Sequence, residues 1–295
     1  MEKEVMEKYL KAGRICAEAK IVVARKIAVG MNLLEVAELV ERFIRQQGAK
    51  PAFPVNVSIN EIAAHYTPKM GETRVIKEGD VVKVDVGAQV DGYIGDTALT
   101  WCSEKSELAA CAEGALKEAV RVVKPGADIS EIGKTIQVFV EGKGFGLIVN
   151  LTGHALDQNI FHGSPSIPNT ETNSRGVLEE DMVIAIEPFV AETNAQVRES
   201  GDAEIFRLLQ PRPVRMAEAR AILSQAGKEF TVFPFAKRWL SVPQVRASLA
   251  LNQLMQTGAV ESYPPLKDFG GRKIAQAEHT IIVRDKPVVT TSLSD

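Results

Sequence analysis

The chain has 295 residues, 45% hydrophobic and 25% charged, a globular composition that excludes a disordered chain. A net charge of -3 and a pI near 5.9 speak against a general nucleic-acid-binding surface. Cys16, Cys102 and Cys111 form an odd set with no C-x-x-C spacing, which points to reduced thiols in a cytoplasm rather than to a disulfide framework or zinc cage.

The opening MEKEVMEKYL is charged and lacks the apolar h-region of a secretory signal. No later run approaches the ~18 apolar residues that span a bilayer. A helix is predicted over 2–28, and LLEVAELVERFIRQQ predicts a second, amphipathic one over 33–47 that stops at Gly48. A β-rich stretch from Phe53 to about Ala64 follows, and then the strand pattern VVKVDVGAQVDGYIGDTALTW. Two more helices are expected, 105–124 ended by Pro125-Gly126, and 129–141, before a strand-and-loop region at 146–170 that holds two histidines.

Residues 192–268 break this rhythm. Helical patterns appear at 214–230 and 244–257, separated by Pro234 and Pro243, and strand signals return only at 274–291. The expected organisation is therefore a catalytic domain of 1–191 and 269–295 carrying an inserted helical subdomain, 192–268. Arg215, Arg220, Lys237, Arg238 and Arg246 lie on the insert, but Glu199, Asp202, Glu204 and Glu218 are interspersed. That mixture reads as a solvated helix surface rather than a DNA reader.

The two halves outside the insert echo each other. Gly30-x-x-Leu33-x-Glu35-Val36, followed by Val40, Phe43 and Gly48, recurs as Gly126-x-x-Ile129-x-Glu131-Ile132, Ile136, Phe139 and Gly144. The offset is about 96 residues. Two helix-plus-sheet halves facing each other are expected, with a cleft between them for a ligand.

The charge anomaly lies in the strands. Val82, Val84 and Val86 alternate with Lys83 and Asp85, and the return strand after Val90-Asp91-Gly92 carries Asp96. A loop centred on Val90-Asp91 sets Asp85 directly opposite Asp96, and one centred on Asp91-Gly92 makes them diagonal neighbours. Either register leaves both carboxylates on one face, at most ~7–8 Å apart at the Cα level. Like charges so close need a cation or a shared proton. VIAIEPF (183–189) and IAQAEHTIIV (274–283) each hold one carboxylate in an apolar strand, Glu187 and Glu278. Acidic residues in buried strands are rare unless paired or coordinated. TGHALDQNIFHG sets His154 and His162 in a glycine-flanked segment between strands, and His279 faces away from Glu278. Four carboxylates with one imidazole suit two divalent ions, and hard oxygen donors favour Mn, Fe or Co over a thiolate-type zinc site.

NEIAAHYTP (60–68), KVDVGAQVDGYIGDTALT (83–100), NLTGHALDQNIFHGSPSIPN (150–169), AIEPF (185–189) and AQAEHTIIV (275–283) together resemble methionine aminopeptidases of the type II, archaeal style. The resemblance runs over essentially the whole chain, insert included. It implies an α/β (α+β) pita-bread fold, the creatinase/aminopeptidase architecture, with pseudo-two-fold duplicated halves and a winged-helix-like insert. It implies that Asp85 chelates one metal, that Asp96 and Glu278 bridge two, and that His154 and Glu187 hold the other. The ions would be Co, Mn, Fe, Ni or Zn. By the same resemblance His65 stands near the scissile amide, His162 bonds the substrate carbonyl, Glu187 accepts a proton, and Phe53 and Phe189 line the methionine pocket. The implied partners are peptide and nascent-protein N-termini. A cytoplasmic monomer is expected, with no membrane and no sequence-specific nucleic acid, and a transient ribosome contact is compatible with it. The chain departs from the family at Gly153-His154-Ala155, where Gly-His-Gly is usual, and within HALDQNIFHGSP. Two other readings are a proline-specific peptidase of the same fold and a catalytically inactive relative that binds nucleic acid or the ribosome.

Overall fold

The computed structural model describes residues 1–173 and 176–293. Four helices and two larger sheets, each built on a hairpin, make the duplicated body, with smaller sheets beside them. Helix α1 spans Lys3–Lys26 and α2 spans Leu33–Gln46; α3 spans Glu107–Val122 and α4 spans Ile129–Gly142. The echo in the sequence is an echo in local chemistry. Asn32 and Asp128 cap α2 and α4, their side chains accepting from the backbone N–H two residues on, at 2.8 Å in each case. Ahead of each cap, Gly30 and Gly126 adopt φ of 88° and 82°, a left-handed turn that suits glycine. The apolar stripes match as well: Val36, Val40 and Ile44 pack on Val82 and Val84 in one half, and Ile132, Ile136 and Val140 on Ile184 and Ile186 in the other.

Strands β1 (Asn56–Ile59) and β2 (Ile62–Ala64) precede the long hairpin of β3 (Val82–Val90) and β4 (Tyr93–Trp101). β3 pairs with β1 on one edge and with β4 on the other. In the second half, β5 (Thr152–Asp157), β6 (Ile160–Pro168) and β7 (Val183–Ile186) are followed by β8 (Phe189–Ala191). The segment 205–263 comes next. It is not helical throughout: β9 (Ile205–Leu208) pairs with β10 (Phe235–Ala236) and β11 (Val260–Tyr263), and α5 (Ala217–Gln225) and α6 (Gln244–Gln256) cover them. These elements close on their own core, which includes Phe206, Ile222, Phe235 and Leu254. The chain then returns as β12 (Ile274–Gln276) and β13 (His279–Ile282).

The halves are joined edge to edge by threonine side chains. Thr280 Oγ1 accepts from Asp96 N and donates to Asp96 O, both at 2.8 Å. Thr100 Oγ1 accepts from Gln276 N at 2.8 Å and donates to Gln276 O at 2.7 Å, and Thr97 Oγ1 donates to Glu278 O at 2.6 Å. These bonds satisfy the edges of β4 and of the β12–β13 segment, which a buried sheet border requires. They also bring Asp96 beside Glu278. No described helix is long and apolar enough to cross a membrane.

Candidate metal centre and substrate cleft

The β3–β4 hairpin turns on Asp91-Gly92, with φ of 52° and 88° and Val90 paired to Tyr93. Positive φ at both loop residues is the turn whose twist matches a two-residue hairpin. Gly87 therefore faces Asp96 and Asp85 faces Ala98, so the two carboxylates are diagonal neighbours on one face. Gly87 itself is needed for close approach, since a Cβ there would meet the Phe53 ring at 2.2 Å.

Glu187 and Glu278 lie elsewhere than expected. Neither is inside a strand. β7 ends at Ile186, which pairs with His279, and β8 starts at Phe189, which pairs with Gln276. Glu187 and Glu278 thus occupy facing breaks where two strands pass from one sheet to the next, and there the side chains are freed from the pleat. His154 and His162 depart from expectation the other way: they sit on β5 and β6, not in a connecting loop. Ala155 lies in β5, paired with Ile184 on one side and with Gly163 on the other, where the register to β6 shifts on either side of it; its φ is not positive, so the position does not demand glycine.

One side-chain oxygen from each of Asp96 and Glu278 and a ring nitrogen of His154 lie within 4.8 Å of one another. His154 Nε2 is 3.7 Å from Asp96 Oδ2 and 3.9 Å from Glu187 Oε1. Its Nδ1 is 3.3 Å from Ala155 O. A carbonyl only accepts, so that contact puts the proton on Nδ1 and turns the Nε2 lone pair toward the carboxylates. Gln276 Nε2 donates to Glu187 Oε2 at 3.3 Å, and Asn169 Nδ2 donates to Glu187 O at 2.9 Å. Asp85 completes the group beside Asp96 and Glu187.

The electrostatics are those of a cation site. Burial raises the carboxyls of Asp96, Glu187 and Glu278 well above the ordinary range, with neighbouring carboxylates adding to it. Burial likewise lifts Asp85 to about 7. Asp85 Oδ1, Asp96 Oδ1 and Glu278 Oε2 are buried without a hydrogen-bond partner. Buried oxygens of like charge, unpaired and converging on one imidazole lone pair, have the chemistry that suits a divalent cation. No thiol is among them.

Above this cluster is a cleft walled by Phe53, His65, Phe161 and His162, with Ile205, Pro234 and Tyr263 contributed by the 205–263 segment. Phe53 and Phe161 pack with ring centroids 4.8 Å apart, and His154 and His162 meet edge on at 4.7 Å. His65 stands edge on to Tyr263 at 5.7 Å and holds a left-handed φ of 62°, strain of the kind kept at working sites. Burial lowers His65 to about 4 and His162 to about 2, so both rings are neutral at physiological pH. Phe189 corrects the sequence expectation. It does not line the cleft but is buried with Ala63, Ala64 and Ile148, because the strand break at 187–188 turns it toward β12. Phe161 lines the cleft beside Phe53. Its neighbour His162 could have drawn attention to it, whereas nothing local distinguishes Ile205, Pro234 or Tyr263. His279 is outside the site, its Nδ1 2.8 Å from Thr291 Oγ1.

A profile of metallopeptidase family M24 matches residues 7–285. The chain is 47% identical over 293 residues to a methionine aminopeptidase of Archaeoglobus fulgidus, covering 99% of this chain and 100% of that one. It is 40% identical over 294 residues to a methionine aminopeptidase of Methanocaldococcus jannaschii, with 99% and 100% covered. Among solved structures, a methionine aminopeptidase of Thermotoga maritima superposes with a TM-score of 0.73 at 26% identity, covering 99% of this chain and 98% of that one. A thermophilic Arx1 reaches 0.88 at 18% identity, over 100% and 92% of the chains, and a prolidase of Pyrococcus furiosus reaches 0.62 at 20%, over 100% and 65%. The last two likenesses are of fold alone. The pita-bread body, the carboxylate–imidazole cluster and full-length identity at this level agree: the chain belongs to metallopeptidase family M24, among its methionine aminopeptidases.

Proposed function

We propose that the chain removes the N-terminal methionine from peptides and nascent proteins with a small second residue, at a site of two divalent ions. The observation that carries this reading is the convergence of four carboxylates, Asp96 and Glu278 buried and Asp85 and Glu187 partly so, and the His154 lone pair at the floor of a cleft whose wall is apolar at Phe53 and Phe161. Asp85, Asp96, His154, Glu187 and Glu278 would hold the ions, which when bound polarise a carbonyl and lower the pKa of water. Glu187, steadied by Gln276, serves as the proton acceptor. His162 and His65, neutral, each carry one N–H for the substrate: His162 for the carbonyl oxygen where negative charge develops, His65 beside the scissile amide. Phe53 and Phe161 pack on the thioether side chain. A pocket of this kind discriminates by about 1–3 kcal/mol per methylene, so preference for methionine is strong but graded.

In this reading the enzyme is a cytoplasmic monomer, and residues 192–268 are an insert that builds one wall of the cleft. The test is methionine release. Metal-loaded protein should free methionine from Met-Ala and Met-Gly peptides, lose that activity on chelation, and leave Ala-Pro and other Xaa-Pro peptides intact. Cleavage before proline would replace this proposal with a proline-specific peptidase, and no cleavage with any divalent metal would replace it with a binding protein.

A further inference from the structure

Glu41 and Arg238 are two buried charges outside the cluster, 2% and 7% exposed, and they come from opposite ends of the architecture. Glu41 lies on the inward face of α2 among Ala37, Val40 and Ile44, while Arg238 follows β10 in the 205–263 segment. The guanidinium donates through Nη2 to Glu41 Oε1, and through Nη1 to Thr67 Oγ1 at 2.7 Å and Pro68 O at 2.9 Å. The second Glu41 oxygen accepts from Trp239 Nε1 at 2.9 Å, and Oε1 also accepts from Val55 N at 3.3 Å. Thr67 Oγ1 in turn donates to Val55 O at 2.8 Å.

The segments joined here are those that wall the cleft. Val55 is two residues after Phe53, Thr67 is two after His65, and Arg238 is four after Pro234. β10 also pairs with β9, which pairs with β11, so Ile205 and Tyr263 move with Arg238. Stability alone gives little reason for such a pair, since burying two ions costs several kcal/mol and apolar residues of the same volume often do as well. Directional bonds do something that apolar packing does not: they forbid sliding of one wall along the other. A catalytic constellation needs its groups held within about half an ångström, and the left-handed backbone of His65 persists only where its surroundings over-determine it.

We infer that the Glu41–Arg238 pair is a positioning element of the substrate cleft, holding the wall of Ile205, Pro234 and Tyr263 in register with the segments on either side of β1 and β2 that carry Phe53 and His65. This rests on the cleft being the substrate site. Neither residue lines the cleft, so the pair acts through the wall and not on the substrate.

The test is steady-state kinetics of Arg238→Met and Arg238→Lys on a Met-Ala-Ser peptide, with bound metal counted and Trp239 emission recorded. Arg238→Met should raise KM about tenfold with kcat changed less than threefold, while metal content stays that of the parent. Arg238→Lys, which restores a cation for Glu41 but cannot reach Thr67 and Pro68 as well, should recover part of that loss. If Arg238→Met fails to fold because Glu41 is left charged, the double variant Glu41→Gln/Arg238→Met removes both charges and should fold with the raised KM. Unchanged kinetics in a folded variant overturn the inference. So does a loss of metal in step with activity, because the pair would then support the body as a whole. Absence of methionine release by the parent protein is a separate outcome, and it strikes the functional proposal instead.

Discussion

Replacing Asp85 by asparagine should stabilise the metal-free protein and weaken the metal-loaded one. Asp85 titrates near 3.8 when exposed and at about 7 in the fold, because burial disfavours its charged form. Between those values the folded state holds a proton that the unfolded chain has released. By linkage, stability falls as pH rises through that window, and the loss is complete above about pH 7. At about 1.4 kcal/mol per pH unit the interval amounts to on the order of 4 kcal/mol at pH 8. Asparagine keeps the shape, can still accept from Gln276, and finds carboxylate acceptors in Asp96 and Glu187. Urea unfolding of the chelated parent and Asp85→Asn proteins from pH 4.5 to 8 measures the difference. The variant should be superior by ~2–4 kcal/mol at pH 8, with the advantage shrinking toward acid. Saturating divalent metal should reverse the order, because a ligand stabilises only the fold it binds. An advantage that does not vary with pH, or a chelated parent more stable at pH 8, would refute the electrostatic reasoning.

His162→Ala should lower kcat by about a hundredfold or more, the scale of a lost oxyanion donor, with metal content unchanged; metal loss alongside would show that the histidine supports the centre instead. Because burial holds His65 at about 4 and His162 at about 2, the kcat of the metal-loaded enzyme should show no imidazole limb between pH 6 and 8 that vanishes in either alanine variant. Phe161→Ala should widen the apolar wall and cost about 1–3 kcal/mol of preference for methionine over bulkier first residues, read as the ratio of kcat/KM values. Lys83→Met should destabilise the protein by roughly 1–3 kcal/mol in thermal or urea unfolding, because Lys83 Nζ donates to the buried carbonyl of Ile274 and to that of Asn60, at 2.9 Å each, and only the Asn60 oxygen keeps a second donor, Ile274 N at 3.2 Å.

Much of the site was legible because its chemistry contradicts its surroundings. Aspartate at 85 and 96 in a valine-rich hairpin, and glutamate at 187 and 278 in apolar runs, stand out against the burial that strand periodicity predicts. The duplication was legible for a related reason: a glycine turn, an Asx cap and an apolar stripe are local requirements, so they recur wherever the same half is built. Residue resemblance supplied what periodicity could not, namely that these groups belong to one site, and it misplaced Phe189.

By itself the sequence determined the four body helices, the hairpin face shared by Asp85 and Asp96, and the anomaly of single carboxylates at 187 and 278 in apolar runs. Those follow from interactions within a few residues, or across one turn. Only the tertiary structure decided the rest. The hairpin register was settled by positive φ at both Asp91 and Gly92. The breaks at Glu187 and Glu278 arise because two paired strands leave one sheet together, a feature of pairing partners that neither segment encodes alone. Asp96 is brought beside Glu278 by its backbone bonds to the Thr280 hydroxyl, 184 residues along the chain, and Tyr263 comes to His65 through the docking of a separate core. Such contacts join segments with no sequence neighbourhood in common. They exist because buried polar edges must find partners, and the partner is chosen by the whole fold.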